Sequence, residues 1–465
     1  MTKYKAYPEY KDSGVEWLKA IPEHWKLSKL RYQFVFGKGL TITKEHLQDD
    51  GIPCVNYGEV HSKYGFEVDP KIHILKCVSD KYLKDNSSSL LAKGDIVFAD
   101  TSEDIDGSGN FTQLVSDIVT FAGYHTIIAR PFERENSRFY AYLLDCKELR
   151  SQVRHAVKGV KVFSITQAIL RNLSIWLPSK DEQAQIASFL DHETAKIDNL
   201  IEKQQQLIEL LKEKRQAVIS HAVTKGLNPD VPMKDSGVEW LGDVPAHWDI
   251  CLLKFKCSAI TDGAHISPDT NEGEHYFVSI KDIKKGIIDF NNSLLTSSAS
   301  YKYLVKTGCK PFSGDILFSK DGTIGQTAIV PDDVDFVVAS SLIIIRADKE
   351  KTLPAFMDLL LQSSLVKEQV ESFVKGAALR RLSIQNLEKV FGIFPTLSEQ
   401  QIISDYIYAQ LNRLDVLESK AVVQIQLLEE RRTALISAAV TGKIDVRDWV
   451  APDTQDVEEP QEATA

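Results

Sequence analysis

Residues 11–25 read KDSGVEWLKAIPEHW and residues 234–248 read KDSGVEWLGDVPAHW, so eleven of fifteen positions are identical at an offset of 223. A second match follows in the same order, because residues 94–98 read GDIVF and residues 314–318 read GDILF. Each of these shorter segments is typical of a turn that enters a buried strand. The repeated order indicates that the chain consists of two diverged copies of one unit.

The end of each copy repeats at a constant offset of 217, from Pro178 and Pro395 to the AVT of residues 222–224 and 439–441. Neither stretch contains an internal Pro or Gly, and apolar residues recur at the seven-residue period of a coiled coil. Gly226 and Gly442 follow as stop signals. The sequence predicts two helices of about 45 residues, each about 68 Å long. The predicted seam consists of Leu190, Ile197, Ile201, Ile208, Leu211, Val218, Ile407, Leu411, Leu414, Ile425, Leu428 and Leu435.

An apolar strip this long and narrow must be covered by a partner helix. The matching heptads favour pairing of the two helices with each other. The alternative, in which each helix lies on its own domain, remains open. Because only residues 227–233 separate the first helix from the second copy, the second domain must begin near the C-terminus of that helix. The pair is therefore predicted to be antiparallel, with a globular domain at each end and an approximate two-fold axis.

The globular parts alternate short β-branched runs with turn residues and also contain helical stretches at 139–157 and 354–374. This mixture predicts the α+β class. The full expectation is two similar domains joined by two long antiparallel coiled-coil helices in a pseudo-two-fold internal repeat. The boundaries are 1–178 for the first domain, 179–228 for the first helix, 229–395 for the second domain, 396–445 for the second helix and 446–465 for an acidic, disordered tail.

The composition is that of an ordinary globular protein, with 43% hydrophobic and 26% charged residues. Six cysteines form no CxxC pair and no run of about eighteen apolar residues occurs, which favours a reduced, cytoplasmic protein without a membrane span. The net charge of −10 argues at first against a polyanionic partner. However, residues 451–465 carry five acids and no base, whereas residues 1–178 carry 24 Lys and Arg against 22 Asp and Glu.

No catalytic signature is found among the phosphate-loop, HExxH, GxSxG and amino-methyltransferase patterns. Pro268-Asp269 followed by the DIK of residues 282–284 loosely resembles a metal-dependent nuclease site, but such strings arise freely in charged chains. The spacing of His247, Cys251 and Cys257 fits no usual zinc pattern. The sequence therefore predicts no catalytic residue and no metal site in this chain.

A basic stretch precedes each long helix. No acid occurs between Leu149 and Lys180, and the four-residue spacing of Arg150, Arg154 and Lys158 predicts three cations on one helical face. The second copy carries Lys367, Lys375, Arg380 and Arg381, and a glycine interrupts the stretch in both copies. Such a basic face suits phosphate contact, and the alternative is an ordinary solvated surface.

These repeated motifs resemble the specificity (S) subunit of type I restriction–modification enzymes. The resemblance rests on the KDSGVEWL…P-x-H-W openings, on the GDIVF and GDILF strand entries with the SKDGT of residues 319–323, and on the P-x-x-x-E-Q-x-x-I helix starts. It covers nearly the whole chain and leaves out only the acidic tail.

The resemblance implies two target-recognition domains, each of which reads one half of an asymmetric bipartite site in double-stranded DNA. It implies a binding subunit without catalysis or cofactor of its own. Two methyltransferase (modification) subunits that use S-adenosylmethionine and two ATP- and Mg²⁺-dependent restriction subunits are the expected partners. The competing hypothesis is a coiled-coil assembly scaffold that binds proteins rather than DNA.

On this basis the helices would act as a ruler that holds two half-sites no more than about 20 base pairs apart. We predict DNA contacts by Lys158, Lys161, Lys375, Arg380, Arg381, Lys320, Asp321, Thr323, Arg150, Arg154, Tyr124 and His125. Tyr124 and His125 could equally form a buried pair. The acid-rich residues 100–106 of the first copy could accept a hydrogen bond from cytosine, although a capped turn is the favoured interpretation.

Lys161→Ala provides a direct test of the basic stretch. We expect weaker binding to all DNA sequences and a shallower dependence of affinity on salt, because a phosphate contact releases counterions without reading bases. Gel shifts on random-sequence duplex at several salt concentrations measure both effects. Unchanged affinity at every salt concentration would contradict the assigned role.

Overall fold

The computed structural model describes residues 4–157, 162–238, 241–270, 273–284, 286–374 and 380–451. Contacts divide the chain into two units, Met1–Lys203 with Gln424–Ala465, and Gln204–Val423. Lys158, Lys161 and Lys375 of the predicted DNA-binding set lie outside the described residues. Each long helix contributes one segment to each unit.

Two of the helices are much longer than the rest and occupy the stretches with the heptad pattern. Their last turns lead into Gly226 and Gly442, which adopt left-handed φ values of 78° and 72°. No helix among the described residues is both long and apolar enough to cross a membrane. The helices are α1 (Tyr82–Asp85), α2 (Ser137–Asp145), α3 (Lys147–Ala156), α4 (Gln167–Asn172), α5 (Lys180–Lys225), α6 (Ser298–Lys306), α7 (Pro354–Gln362), α8 (Ser364–Phe373), α9 (Ile384–Leu387) and α10 (Leu397–Val440).

The first unit contains a five-stranded sheet in the order β4-β13-β9-β11-β6 and a four-stranded sheet in the order β7-β5-β12-β8. Strands β1–β2, β3–β15 and β10–β14 form additional pairs. Its strands are β1 (Tyr10–Asp12), β2 (Ala20–Pro22), β3 (Lys26–Lys29), β4 (Phe34–Lys38), β5 (Ile52–Val55), β6 (Phe66–Val68), β7 (Cys77–Val78), β8 (Leu90–Leu91), β9 (Ile96–Ala99), β10 (Thr101–Ser102), β11 (Phe111–Leu114), β12 (Thr120–Ala122), β13 (Thr126–Pro131), β14 (Phe163–Ser164) and β15 (Ser174–Leu177).

The second unit repeats this plan with a sheet in the order β19-β27-β24-β25 and another in the order β23-β20-β26. Strands β16–β17, β18–β28 and β21–β22 pair separately. The mixture of sheets and helices in both units confirms the α+β class. The strands are β16 (Met233–Asp235), β17 (Asp243–Pro245), β18 (Asp249–Leu252), β19 (Cys257–Asp262), β20 (His275–Val278), β21 (Ile283–Lys284), β22 (Ile287–Ile288), β23 (Leu294–Thr296), β24 (Ile316–Ser319), β25 (Thr327–Ile329), β26 (Phe336–Val338), β27 (Leu342–Ala347) and β28 (Phe391–Phe394).

The helical stretch predicted in each domain consists of two helices separated by a break. Cys146 separates α2 from α3 and Ser363 separates α7 from α8, both with extended backbone. The amides of the next residues, Lys147 and Ser364, donate to the hydroxyls of Ser437 (3.1 Å) and Ser220 (2.9 Å). The oxygen that accepts a hydrogen bond from the first amide of α3 or α8 therefore belongs to a long helix. Local sequence patterns do not reveal this partner, because it is far away in the sequence.

Within each unit, one segment of α5 contacts one segment of α10. In the first unit, Arg432 Nε donates to Asp198 Oδ1 at 3.0 Å, and the Trp176 indole donates to the Val440 carbonyl. In the second unit, Arg215 pairs with Asp415. These two ion pairs use the same two positions of the repeat, since both residues are shifted by 217.

The predicted seam is the apolar face of these segments. Seven of its members are buried, and the others are half-buried: the buried set is Leu190, Ile197, Leu211, Ile407, Leu411, Leu414 and Leu428, and the half-buried set is Ile201, Ile208, Val218, Ile425 and Leu435. Their contact across the two helices stays a prediction.

The repeated opening motif and the helix start meet in a single contact in each unit. The fully buried Trp25 donates its indole N–H to Glu182 Oε1 at 3.0 Å, while His24 Nε2 lies 2.9 Å from Glu182 Oε2. Trp248, His247 and Glu399 form the same arrangement at 3.1 and 2.9 Å. The P-x-H-W and E-Q motifs therefore join each α+β domain to a long helix.

The glycine that ends each long helix lies against this contact. A Cβ on Gly442 would lie 2.4 Å from Pro22 Cγ and 3.4 Å from the Trp25 ring, and a Cβ on Gly226 would lie 3.3 Å from the Trp248 ring. Close packing against Pro22 excludes a side chain at Gly442, and the left-handed backbone favours glycine at both positions.

Gly442→Ala should lower the thermal unfolding midpoint more than Gly14→Ala. Both positions are left-handed, at 72° and 61°, but a Cβ on Gly14 would contact nothing within 4 Å. Gly14→Ala should cost only backbone strain of about 1 kcal/mol. Gly442→Ala should cost about 2 kcal/mol more, because Pro22 must also move. Equal losses in the two variants would show that the contact with Pro22 is unimportant.

One buried carboxyl in the second unit has no counterpart in the first. Asp358 on α7 accepts a hydrogen bond from Gln362 Nε2 at 2.8 Å, and its other oxygen is buried near the Thr327 hydroxyl. Burial raises the pKa of Asp358 from 3.8 to about 6. The corresponding position in the first copy is the buried Ala141.

Asp358→Asn should therefore stabilise the protein above pH 6. With its pKa raised in the folded state, Asp358 makes the wild type lose stability as pH rises from 3.8 to about 6, and the loss is constant above that range. The difference should reach roughly 3 kcal/mol at pH 8. Urea unfolding at pH 4.5 and at pH 8 measures it. An advantage of the same size at both pH values would contradict titration of Asp358.

Candidate nucleic-acid interface

The main sheet of each unit ends at an edge where four chain segments meet. In the first unit this edge, called the first edge below, consists of residues 38–40, 100–102, 123–126 and 163–165. The Asp100 amide donates to the His125 carbonyl at 3.1 Å, and the Ile165 amide donates to the Asp100 carbonyl at 2.7 Å. Strands β10 and β14 pair here, with Thr101 opposite Ser164.

The second edge, residues 262–265, 320–323, 339–341 and 380–382, has the same backbone arrangement. The Lys320 amide donates to the Ser341 carbonyl and the Leu382 amide donates to the Lys320 carbonyl, both at 2.9 Å. Asp321 lies opposite Arg381 in an isolated antiparallel bridge. Positions 320, 321, 341 and 381 thus correspond to positions 100, 101, 125 and 164.

Close backbone approach fixes both edges. A Cβ on Gly39 would lie 2.0 Å from the Gly123 carbonyl oxygen, and a Cβ on Gly263 would lie 2.0 Å from the Ala339 carbonyl oxygen. Only glycine permits these contacts. The two edges therefore share one backbone framework but present different side chains.

At the second edge, Lys320 is almost completely buried, with 5% of its side chain exposed. Its ammonium is paired with Asp262, whose other oxygen lies 2.9 Å from His265 Nε2. Lys320 was predicted to contact DNA, and the structure instead places its charge in an internal ion pair. Thr323, from the same predicted set, is exposed.

Arg381 is held by two hydrogen bonds to a single carboxylate. Its Nε donates to Asp321 Oδ1 at 2.7 Å and its Nη2 donates to Asp321 Oδ2 at 3.0 Å. Asp321 also raises the pKa of Arg381. The Arg381 side chain remains 59% exposed, and the neighbouring Arg380, 49% exposed, pairs with Glu371.

At the first edge, His125 is exposed and has a left-handed φ of 54°, which is uncommon outside glycine. Its Nδ1 lies 3.2 Å from Asp100 Oδ1, and Tyr124 beside it is half-buried. The alternative of a buried Tyr124–His125 pair does not describe this site. Their contact with DNA stays a prediction.

The acid-rich segment that follows forms a capped turn. The Gly107 amide donates to Asp104 Oδ1 at 2.5 Å, and the Ser102 hydroxyl donates to the Asp104 carbonyl at 2.6 Å. Asp106 lies 3.4 Å from Arg154. The favoured interpretation of these acids as turn residues agrees with these contacts.

Sequence reasoning missed one group near the first edge. Tyr57 and His61 stack with ring centroids 5.1 Å apart, and His61 Nε2 lies 3.2 Å from the Ser102 hydroxyl. Partial burial, followed by the charges of nearby acids, raises the pKa of Tyr57. No motif marks these residues, because only the fold brings His61 to Ser102, which lies 41 residues later in the sequence.

The predicted basic face of the helix is shorter than expected, and its arginines form ion pairs with acids of the same unit. Helix α3 ends at Ala156 and carries Arg150 and Arg154, whereas Lys158 lies outside the described residues. Arg150 donates to Asp145 and to Asn110, both at 3.0 Å. Both arginine side chains are mostly covered, at 22% and 35% exposure.

In the described ranges, no group of three His, Cys, Asp or Glu side chains is arranged so that it could hold a metal ion. All six cysteines are free thiols. Burial is the main cause that raises the pKa of Cys54 and of Cys257, to about 12 in each case. Such thiols are poor nucleophiles and poor ligands.

Comparison with known proteins places these features in a family. The profile of the type I restriction modification DNA specificity domain matches residues 22–210 and 255–425. The putative type I restriction enzyme MjaX specificity subunit of Methanocaldococcus jannaschii is 26% identical over 436 residues, which are 92% of this chain and 95% of the relative. The EcoKI specificity subunit of Escherichia coli K12 is 21% identical over 93% of this chain and 91% of its own length.

A solved structure has the same fold. A chain described under "Structural basis underlying complex assembly and conformational transition of the type I R-M system" aligns with a TM-score of 0.66 at 15% identity, covering 91% of this chain and 99% of its own. Two matches of one DNA specificity domain, together with relatives of nearly equal length, identify this chain as a member of the type I restriction–modification specificity subunit family, whose members recognise DNA sequence and are not themselves catalytic.

Proposed function

We propose that this chain reads an asymmetric, bipartite site in double-stranded DNA, with one α+β domain for each half-site. The observation that carries the proposal is the pair of edges that share one backbone framework and differ in side chains. Asp100 and Thr101 occupy the positions that Lys320 and Asp321 occupy in the second copy. Hydrogen-bond donors and acceptors on side chains select bases, so different edges select different half-sites.

The long helices act as the ruler in this proposal. Helix α5 has 46 residues and α10 has 44. At about 1.5 Å per residue they would span nearly 70 Å, a limit of about 20 base pairs. The pairs Arg215–Asp415 and Asp198–Arg432 link equivalent positions of the repeat, which supports contact between α5 and α10 within each unit. An antiparallel, pseudo-two-fold helix pair remains part of the proposal.

Catalysis in this proposal belongs to partner proteins in the cytoplasm. The chain would direct two adenine methyltransferase subunits, which bring S-adenosylmethionine, and two ATP- and Mg²⁺-dependent endonuclease subunits. Support comes from family membership and from the solved relative, whose description names complex assembly of a type I restriction–modification system. The phosphate contacts predicted for Lys158, Lys161 and Lys375 remain part of the proposal.

Mapping of methylated adenines tests the proposal. The chain is expressed with its methyltransferase partner in cells that lack other adenine methylation, and the genome is sequenced for N6-methyladenine. We expect one recurring motif made of two different half-sites separated by a fixed number of unspecified bases. A palindromic motif would contradict the different edges, and methylation without any motif would contradict sequence recognition.

A further inference from the structure

The Arg381–Asp321 pair has the geometry of a guanine reader. A guanidinium carries five N–H donors. Asp321 takes one from Nε and one from Nη2, along one side of the group. The two donors on Nη1 and the second on Nη2 remain, and no other acceptor bonds to Arg381 among the residues that the structure describes. Those donors form the outward fork that matches O6 and N7 of guanine in the major groove.

Two backbone contacts hold the chain at Arg381 and at the residue that follows it. Arg381 pairs with Asp321 across the strand bridge, and the next amide, that of Leu382, donates to the Lys320 carbonyl. Lys320 is itself anchored through its buried ion pair with Asp262. An arginine held in this way loses little side-chain entropy on binding, so its contact can discriminate between bases.

The charge of the pair also favours base reading over phosphate binding. Asp321 largely neutralises Arg381, so the pair attracts a phosphate less strongly than a free cation would. The fork geometry, in contrast, is improved by the carboxylate, which orients the guanidinium plane. Arg381 is 59% exposed and can reach a groove without breaking its contact with Asp321.

The first edge cannot make the same contact. Ser164 and Thr101 occupy the positions of Arg381 and Asp321. A serine hydroxyl has one donor and does not form a two-pronged contact. Because the backbone arrangement is the same at both edges, this difference in side chains affects which base each edge reads.

We infer that Arg381, clamped by Asp321 and positioned by Lys320, reads one guanine in the half-site that the second domain recognises. This inference rests on the proposed function and names a specificity residue within it. The first domain, with Ser164 in place of the arginine, reads its half-site by other contacts.

The test compares Arg381→Ala, Arg381→Lys and Arg380→Ala in the complete complex with its methyltransferase partners. Arg380 is the matched control, since it is an adjacent, similarly exposed arginine that pairs with Glu371 instead. Methylated adenines are mapped for each variant. Affinities are then measured on the wild-type site and on a site with the guanine replaced. Thermal unfolding and co-purification of the partners establish that each variant is folded and assembled.

We expect the wild-type complex to prefer guanine at one position of one half-site by about 10- to 100-fold. Arg381→Ala should abolish that preference and relax the motif at that position alone. Arg381→Lys should relax it as well, because lysine keeps the charge but loses the fork. Arg380→Ala should weaken binding to all sites alike and leave the motif unchanged.

The inference is overturned if both Arg381 variants keep the wild-type motif at every position, or if they weaken matched and replaced sites equally, as a phosphate contact would. A wild-type complex that methylates without a bipartite motif would instead overturn the proposed function and this inference with it. Should Arg381→Ala fail to assemble, the motif of the Arg381→Lys complex decides.

Discussion

The buried contact between a tryptophan and a glutamate at the start of each long helix is the constraint on which the rest of the structure depends. Trp25 and Glu182 in one unit, and Trp248 and Glu399 in the other, join a domain to a helix through an indole hydrogen bond. The Glu182 side chain is 4% exposed and therefore has little water around it, whereas that of Glu399 is 29% exposed. Leaving such a carboxylate unpaired there would be costly, so the orientation of domain and helix is tightly specified. Gly442 and Gly226 allow the returning helix end to lie against the same tryptophans.

With this junction fixed, the backbone and the outward side chains of each unit have separate roles. Backbone hydrogen bonds and close glycine contacts hold the edges in one conformation whatever their outward side chains are. The side chains at those positions are consequently free to change without loss of the fold. Ser164 and Arg381 illustrate the extent of this change, because these equivalent and exposed positions carry a hydroxyl and a guanidinium. A framework of this kind suits a protein whose two domains must recognise different sequences.

Internal ion pairs also explain why net charge is a poor guide to this surface. Lys320, Arg150 and Arg154 are counted as cations in the sequence, yet each is paired with an acid inside its unit. Arg381 is paired as well, but in a way that leaves its outward fork available. Whether a basic side chain contributes to binding thus depends on its ion-pair partner and its exposure. The count of basic residues in the sequence does not decide it.

The duplication, the α+β class and the two long helices could be predicted from the sequence. These features follow from local periodicity and from repeats such as residues 11–25 and 234–248, which are visible without knowledge of distant contacts. The sequence could not reveal the breaks at Cys146 and Ser363, because the serines that satisfy the next amides lie 290 and 144 residues away. Tertiary structure alone decided that Lys320 is buried on Asp262, that Tyr57 and His61 stack near Ser102, and that Arg381 is clamped by Asp321. Each of these depends on pairing between segments far apart in the chain, and the energy of a charged or polar side chain is set by the partner that the fold brings to it.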